Sequence, residues 1–298
     1  MAIPSAQLDT WSHQGGATIS SSAYDRIKLA LTNQASPLNG RGVSIFLQGS
    51  YANDTNTYGD SDIDVVVQYE NTWHEDLTAL TPFERQIHAA AFNPATYLWH
   101  HLRDDVYSAL ILRFGSSAVR HGTKAIKVTT GVGRMIADVL PVVQFRKYAS
   151  YPSPTAASAY WGVHFFDASG NGITNYPKYH IEQGQAKNQA ARTGGRYKAT
   201  VRLFKNFRTY MVERGLLARD VAPSYFIECA LHNVPDALFT SNYLESVPAI
   251  LYFLLNVPFT TLMSQNRVTQ LIGTGPTHWS NENFTAFVVA ARHTWENW

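Results

Sequence analysis

One cysteine, Cys229, stands in 298 residues. A single thiol closes no internal disulfide and builds no cysteine-rich zinc site. It favours a reducing, cytoplasmic setting. Charge is also scarce. Only 15% of residues are Asp, Glu, Lys or Arg, and 24 basic against 22 acidic side chains leave a formal charge of +2. So small an excess excludes a protein built to coat DNA, while leaving room for a local basic cleft. Long hydrophobic runs are missing: the longest strongly apolar stretch, residues 247–259, carries Pro248, Asn256 and Pro258. It falls short of the ~18–20 residues of a membrane span, so no membrane partner is expected. The N-terminal MAIPSAQLDTW has neither a basic start nor an apolar core and does not read as a secretory signal. There is no internal repeat, no low-complexity tract, no G-x-x-x-x-G-K-[ST] and no His-Glu-x-x-His, and Gly131-Val132-Gly133 lacks the third glycine of a dinucleotide loop. His100 and His101 are adjacent on a helical stretch and are expected to face different directions, which argues against a joint metal site and favours surface or core polar roles.

What is present is 45% hydrophobic, enough for a sizeable core without staples. Residues 18–35 read as a helix ending near Pro37. Val43 to Gln48 (VSIFLQ) and Asp62 to Tyr69 (DIDVVVQY) read as strands flanking a polar loop. Thr81-Pro82-Phe83-Glu84 combines a cap, a proline at the first helical position and a capping-box Glu. Asn93-Pro94 repeats the cap signal, and Leu98, Leu102, Val106, Ala109 and Leu110 then recur at helical spacing up to Phe114, with Gly115 as the stop. Residues 124–128 and 134–144 read as a hairpin in the same sheet, with Pro141 marking an interruption or an edge. Residues 149–195 look irregular. Beyond them the chain reads as helices over about 196–214, 223–233, 241–256, 259–272 and 281–294, the first stopped by Gly215. Cys229 reads as an inert core residue in an apolar helix. The expected fold is α+β: residues 1–195 form a mixed sheet with flanking helices, residues 196–298 form a mainly helical lobe, and the cleft between them is the expected ligand site.

The chemistry concentrates in Gly49-Ser50 and in Asp62-Ile63-Asp64. Asp62 and Asp64 point to one face of a strand. They are either solvated loop-end carboxylates or a pair held by a divalent cation, and Mg²⁺ suits such hard oxygen donors. Gly49 and Ser50 offer a tight turn, backbone N–H groups and a hydroxyl, which are phosphate donors. Asp138, among Ile136, Val139 and Leu140, is a carboxylate where burial is wanted. It needs a partner, Arg134 or Arg146, or a metal. Lys198, Arg202, Lys205 and Arg208 share one side of a helix. They form either a solvated basic face or the positive wall of a phosphate cleft. Ser224 after Pro223 is a helix N-cap, and a helix start also binds phosphate. Tyr225 is either a core residue or a stacking platform.

The string GSYANDTNTYGDSDIDVVV resembles the signature of the polymerase-β-like nucleotidyltransferases, and within them the cGAS/DncV-like nucleotidyltransferases (CD-NTases) of bacterial anti-phage signalling. RMIADVLP around Asp138, VRLFKNF around Lys205 and PSYFIE around Ser224 and Tyr225 extend the resemblance over about residues 43–230. The resemblance implies that Asp62, Asp64 and Asp138 are catalytic and hold two Mg²⁺ ions, with Mn²⁺ as a substitute. It implies that Gly49, Ser50, Lys205 and Ser224 hold the triphosphate and that Tyr225 stacks on a base. The implied substrates are NTPs, ATP and GTP foremost. The implied product is a cyclic di- or trinucleotide second messenger that reaches a downstream effector protein. Without a cysteine-rich zinc insertion, activation by DNA is not expected. Two rival readings remain. One is a linear 2′–5′ oligoadenylate synthase or RNA-tailing enzyme on the same core. The other is a catalytically silent nucleotide- or RNA-binding protein, against which the intact Asp set argues. Asn175, Tyr176 and Lys178 are candidates for acceptor-side contacts.

Overall fold

β-branched and aromatic runs build one mixed sheet, and the apolar stripes of the helices cover it or assemble a second core. The computed structural model describes residues 3–15, 18–58, 62–132 and 135–298. In chain order the elements are α1 (Ser5–Ser12), α2 (Thr18–Thr32), β1 (Val43–Gln48), α3 (Gly49–Ala52), β2 (Asp62–Asp76), α4 (Pro82–Ala91), α5 (Trp99–Phe114), β3 (Val119–His121), β4 (Ile126–Thr129), β5 (Ile136–Ser150), β6 (Ser158–Phe166), β7 (Gly172–Asn175), α6 (Pro177–Asn188), α7 (Ala190–Thr193), α8 (Arg196–Glu213), α9 (Ser224–Asn233), α10 (Tyr243–Asn256) and α11 (Asn281–Glu296). The sheet runs β1-β2-β5-β4-β3, with β6 on β5 and β7 on β6. β2 and β5 are parallel and the other pairs are antiparallel.

Two compact units divide the chain. One takes Thr18–Gln48 and Ser61–Pro177, the other Met1–Ala17, Gly49–Asp60 and Lys178–Trp298. This partition is finer than a single cut at 195/196, because α1, α6 and the segment after β1 join the helical unit. In the sheet unit β2 and β5 carry the core. Ile63, Val65, Val66, Val67, Ala137, Val139 and Val142 are all fully buried. The buried stripe of α5 is Leu102, Val106, Ala109 and Leu110, as its spacing predicts. In the helical unit α8 supplies Val201, Leu203, Phe204 and Phe207 to a core shared with α9, α10 and α11.

The Thr81 capping box forms as expected: Thr81 Oγ1 accepts from Glu84 N while Glu84 Oε2 accepts from Thr81 N. Gly115 and Gly215 end their helices with positive φ. Three expectations are corrected, and one open alternative is decided. Asn93-Pro94 caps nothing. The helix begins at Trp99, with Leu98 N donating to His101 Nδ1 at 3.0 Å, because Thr72 holds the Tyr97 carbonyl and the Tyr97 hydroxyl is spent on Asp105. Of its two readings, Pro141 takes the edge and not the interruption. It falls between the stretch paired with β4 (to Val139) and the stretch paired with β6 (from Val143), where one side of the strand has no ladder to feed. Residues 149–195 are not irregular but hold β6, β7, α6 and α7. Residues 259–272 are not a helix. Beyond a single turn at Phe259–Thr261 they form a tight turn closed by the Met263–Gln270 bridge, because Asn266 Oδ1 accepts from Val268 N and Thr269 N and diverts the backbone.

Candidate active site

β2 and β5 place three of the flagged carboxylates. In the parallel register Asp64 lies opposite Asp138 and Asp62 opposite Ile136, so all three Asp side chains leave the same sheet face. Adjacent strands are about 4.8 Å apart. Two residues further along, the same face turns apolar at Val66 and Leu140, which pack with Phe46, Val163 and Phe165. The acidic patch therefore sits at the strand starts, on a rigid buried base. Asp62 is exposed and Asp64 half-buried. Like charges opposed across a ladder repel, and a cation relieves that repulsion.

Neither arginine considered from the sequence is seen to serve Asp138. Arg134 lies outside the described residues. Arg146 stacks over Trp73 at 3.7 Å and Trp161 at 4.7 Å. The partner is Lys127 of β4, in register with Asp138, whose Nζ reaches both carboxylate oxygens at 3.0 and 3.1 Å. One row of in-register positions thus reads Gln48, Asp64, Asp138, Lys127. The Lys127 ammonium is a stand-in cation on Asp138. Among the described residues no three His, Cys, Asp or Glu side chains are gathered closely enough to hold an ion in this arrangement. The donor set itself, hard carboxylate oxygens fixed side by side, fits a divalent cation.

The phosphate candidates lie in the helical unit. Gly49 has φ 67°, which favours glycine there, and opens the short α3 with Ser50. The polar loop that follows is largely buried: Asn53, Thr55, Asn56 and Thr57 are each at most 8% exposed. Several of its groups are satisfied at a distance. Asn56 exchanges hydrogen bonds with Gly15, its carbonyl accepting from Gly15 N and its Nδ2 donating to Gly15 O. Asp54, with φ 54°, takes Lys198 Nζ on its carboxylate at 2.7 Å and Arg202 on its carbonyl. Lys205 is 2% exposed and donates to Thr55 O at 2.7 Å. Lys198, Arg202 and Lys205 of α8 thus clamp this loop. Arg208, one turn on, donates to Ala222 O and meets the Ser224 hydroxyl at 3.4 Å. Tyr225 stacks on His180, with ring centroids 5.1 Å apart and planes 23° apart. Asn175 ends β7, Tyr176 is buried over Gly162, and Lys178 is exposed.

His100 and His101 do meet, against expectation. His101 turns back to accept from Leu98 N, which leaves the two Nε2 atoms 3.1 Å apart. Both are exposed, and among the described residues no third ligand joins them. Sequence reasoning missed Lys127, Thr55, Glu228 and His180. Glu228 had a signal, a carboxylate among Ile227, Cys229 and Ala230; Thr55 had none. Among the described residues no helix is long and apolar enough to cross a membrane.

A mixed sheet bearing paired carboxylates at its strand starts matches a known domain. Residues 31–107 match the nucleotidyltransferase domain, and residues 182–296 match the cGAS/DncV-like nucleotidyltransferase C-terminal helical domain. Over 100% of its length the chain is 38% identical to the cyclic UMP-AMP synthase of Rhodothermus marinus, covering 99% of that relative. It is 36% identical to the cyclic nucleotide synthase CdnE01 of Staphylococcus haemolyticus, with full coverage of both. The structure of Rhodothermus marinus CdnE c-UMP-AMP synthase with Apcpp and Upnpp superposes with a TM-score of 0.86 at 36% identity, over 99% of this chain and 97% of that one. The structure of Elizabethkingia meningoseptica CdnE cyclic dinucleotide synthase with GTP and Apcpp gives 0.78 at 25% identity, over 98% of each chain. The chain belongs to the cGAS/DncV-like nucleotidyltransferases, as the signature around Asp62 and Asp64 implied.

Proposed function

We propose that this chain joins two nucleoside triphosphates into a cyclic dinucleotide, releasing pyrophosphate at each of two steps. The observation that carries the reading is the in-register pair Asp64 and Asp138, with Asp62 two residues back on the same face. Asp62, Asp64 and Asp138 would hold two Mg²⁺ ions. The chemistry such ions supply is a lowered pKa for an attacking ribose hydroxyl and neutralised charge on the triphosphate. The acceptor hydroxyl oxygen forms a bond to the donor α-phosphorus as the bond to pyrophosphate breaks, and a second such step closes the ring. Asp138 takes up the hydroxyl proton. Gly49 N–H, the Ser50 hydroxyl, Lys205 and Ser224 hold the β- and γ-phosphates, and Arg208 beside Ser224 adds charge there. Tyr225, braced by His180, stacks on a base. The product acts in the cytoplasm as a second messenger on an effector protein during phage infection.

The relatives named above combine UMP with AMP or bind GTP, so membership alone does not fix the bases. The test is incubation with all four NTPs and Mg²⁺, phosphatase treatment and mass spectrometry. A phosphatase-resistant product at a cyclic dinucleotide mass is expected. A linear ladder would move the chain to the oligoadenylate or tailing class. Nucleotide binding without pyrophosphate release would mark it as a silent binder.

Lys127 has its own expected signature. Its ammonium competes with a cation for Asp138, so Lys127→Met should lower the Mg²⁺ concentration for half-maximal turnover severalfold. A titration showing an unchanged or higher requirement would remove Lys127 from that competition.

A further inference from the structure

Thr55 is the point where three parts of the helical unit meet. Its backbone N donates to Ser50 O at 2.9 Å, its carbonyl accepts from Lys205 Nζ at 2.7 Å, and its hydroxyl donates to Glu228 Oε1 at 2.6 Å. Glu228 spends its other oxygen on His180 Nε2 at 3.0 Å. Both side chains are buried, 6% and 8% exposed. Tyr197 donates to the Glu228 carbonyl and to Gln265, and Gln265 Nε2 donates to the His180 carbonyl at 2.7 Å, so the pair is braced from α8 and from the segment after α10.

A buried ion pair is a poor means of adding stability, because desolvation consumes most of its Coulombic gain. Its better-attested use is to fix one geometry. Here the fixed object is a hydroxyl whose own backbone touches Ser50 on one side and Lys205 on the other. An apolar residue at position 55 would fill the same space, but it would leave Glu228 one donor short and free the segment to shift. Phosphate-holding groups must sit within a fraction of an ångström of their working geometry.

We propose that Thr55, anchored by the buried Glu228–His180 pair, is a positioning residue that sets Ser50 and Lys205 for the triphosphate. This rests on the nucleotidyltransferase reading above. Thr55 touches no substrate in this account; it acts through its two neighbours.

The test compares wild type, Thr55→Val and Thr55→Ser. Thr55→Val keeps shape and loses the hydroxyl, whereas Thr55→Ser keeps the hydroxyl. Binding of a non-hydrolysable NTP analogue is measured by calorimetry, steady-state KM and kcat by pyrophosphate release, and melting temperature on the same samples. Thr55→Val should raise the analogue Kd and the KM about tenfold, equivalent to about 1.4 kcal/mol, with kcat changed less. Thr55→Ser should restore both to within twofold of wild type. If Thr55→Val does not fold, Thr55→Ala takes its place, removing the same hydroxyl while leaving the Glu228–His180 pair intact, with the same expected rise in Kd. A variant that melts lower but binds the analogue like wild type would overturn the proposal, because a purely structural role predicts that result. A wild-type protein that binds no analogue would instead overturn the nucleotidyltransferase reading and the positioning role with it.

Discussion

Asp62→Asn and Asp64→Asn, singly or together, will reduce product formation by on the order of 10³-fold or more while leaving the fold intact. The size follows from what is removed. In the proposed mechanism each side chain is a hard oxygen donor to a site that stabilises charge in the transition state, and losing one preorganised electrostatic contact commonly costs ~10²–10³ in rate. The retained fold follows from where the residues sit. Asp62 is exposed and Asp64 half-buried, and neither belongs to the apolar stretch that begins at Val65. Asn matches Asp in volume, and Asp64→Asn removes one member of the like-charged pair that Asp64 and Asp138 form across the β2–β5 ladder. The melting temperature should therefore stay level or rise. Both properties are measurable on one preparation, by phosphatase-resistant product and by calorimetric melting. Turnover of the double variant at the wild-type rate would remove the carboxylates from the mechanism. Collapse of the fold would show instead that they are structural.

The acidic face of β2 was legible because its signal is local. Two aspartates at alternate positions entering DIDVVVQY place their own side chains, and the strand type follows from the β-branched run. The Thr81 capping box is equally local, and its two hydrogen bonds form as read. What stayed hidden depends on register or on distant partners. Lys127 meets Asp138 only because β4 pairs β5 at that offset; no spacing within either strand announces it. The loop after Gly49 looks like solvent-exposed chain, since nothing in Asn, Asp or Thr marks burial. It is buried because α8 reaches it with Lys198, Arg202 and Lys205. β6 escaped notice because Gly162 and two half-exposed aromatics, Tyr160 and Trp161, interrupt its pattern. The 259–272 segment was misread as a helix because apolar spacing outweighed Asn266, whose side chain takes two backbone donors of its own.

Replacing Glu228 with Ala should cost about 3–5 kcal/mol, the usual range when one partner of a buried ion pair is deleted and the other charge is left uncompensated. At a few degrees per kcal/mol for a chain of this size, the melting temperature should fall by about 10 °C or more. The pair also sets a pH window. Burial by itself pulls the His180 pKa down, but the neighbouring Cys229 and the Glu228 carboxylate bonded to Nε2 outweigh it and raise it to about 9. Burial pushes Glu228 up, yet His180, Lys205 and Thr55 together hold it below its ordinary value. A raised histidine contributes stability that is complete below its unfolded value near 6.5 and is lost as pH climbs through about 9. A depressed carboxyl contributes stability that is complete above its ordinary value near 4.5 and is lost as pH falls through its lower folded value. The two contributions are therefore both complete between about pH 4.5 and 6.5, and the histidine's share drains away by pH 9.5. Urea unfolding of wild type and Glu228→Gln at pH 6, 8 and 9.5 reads this directly. The stability advantage of wild type should be largest at pH 6 and smallest at pH 9.5. An advantage that stays constant across that interval would mean that His180 is singly protonated in the folded protein, and that the bond to Glu228 is donated by the Nε2–H of a neutral ring.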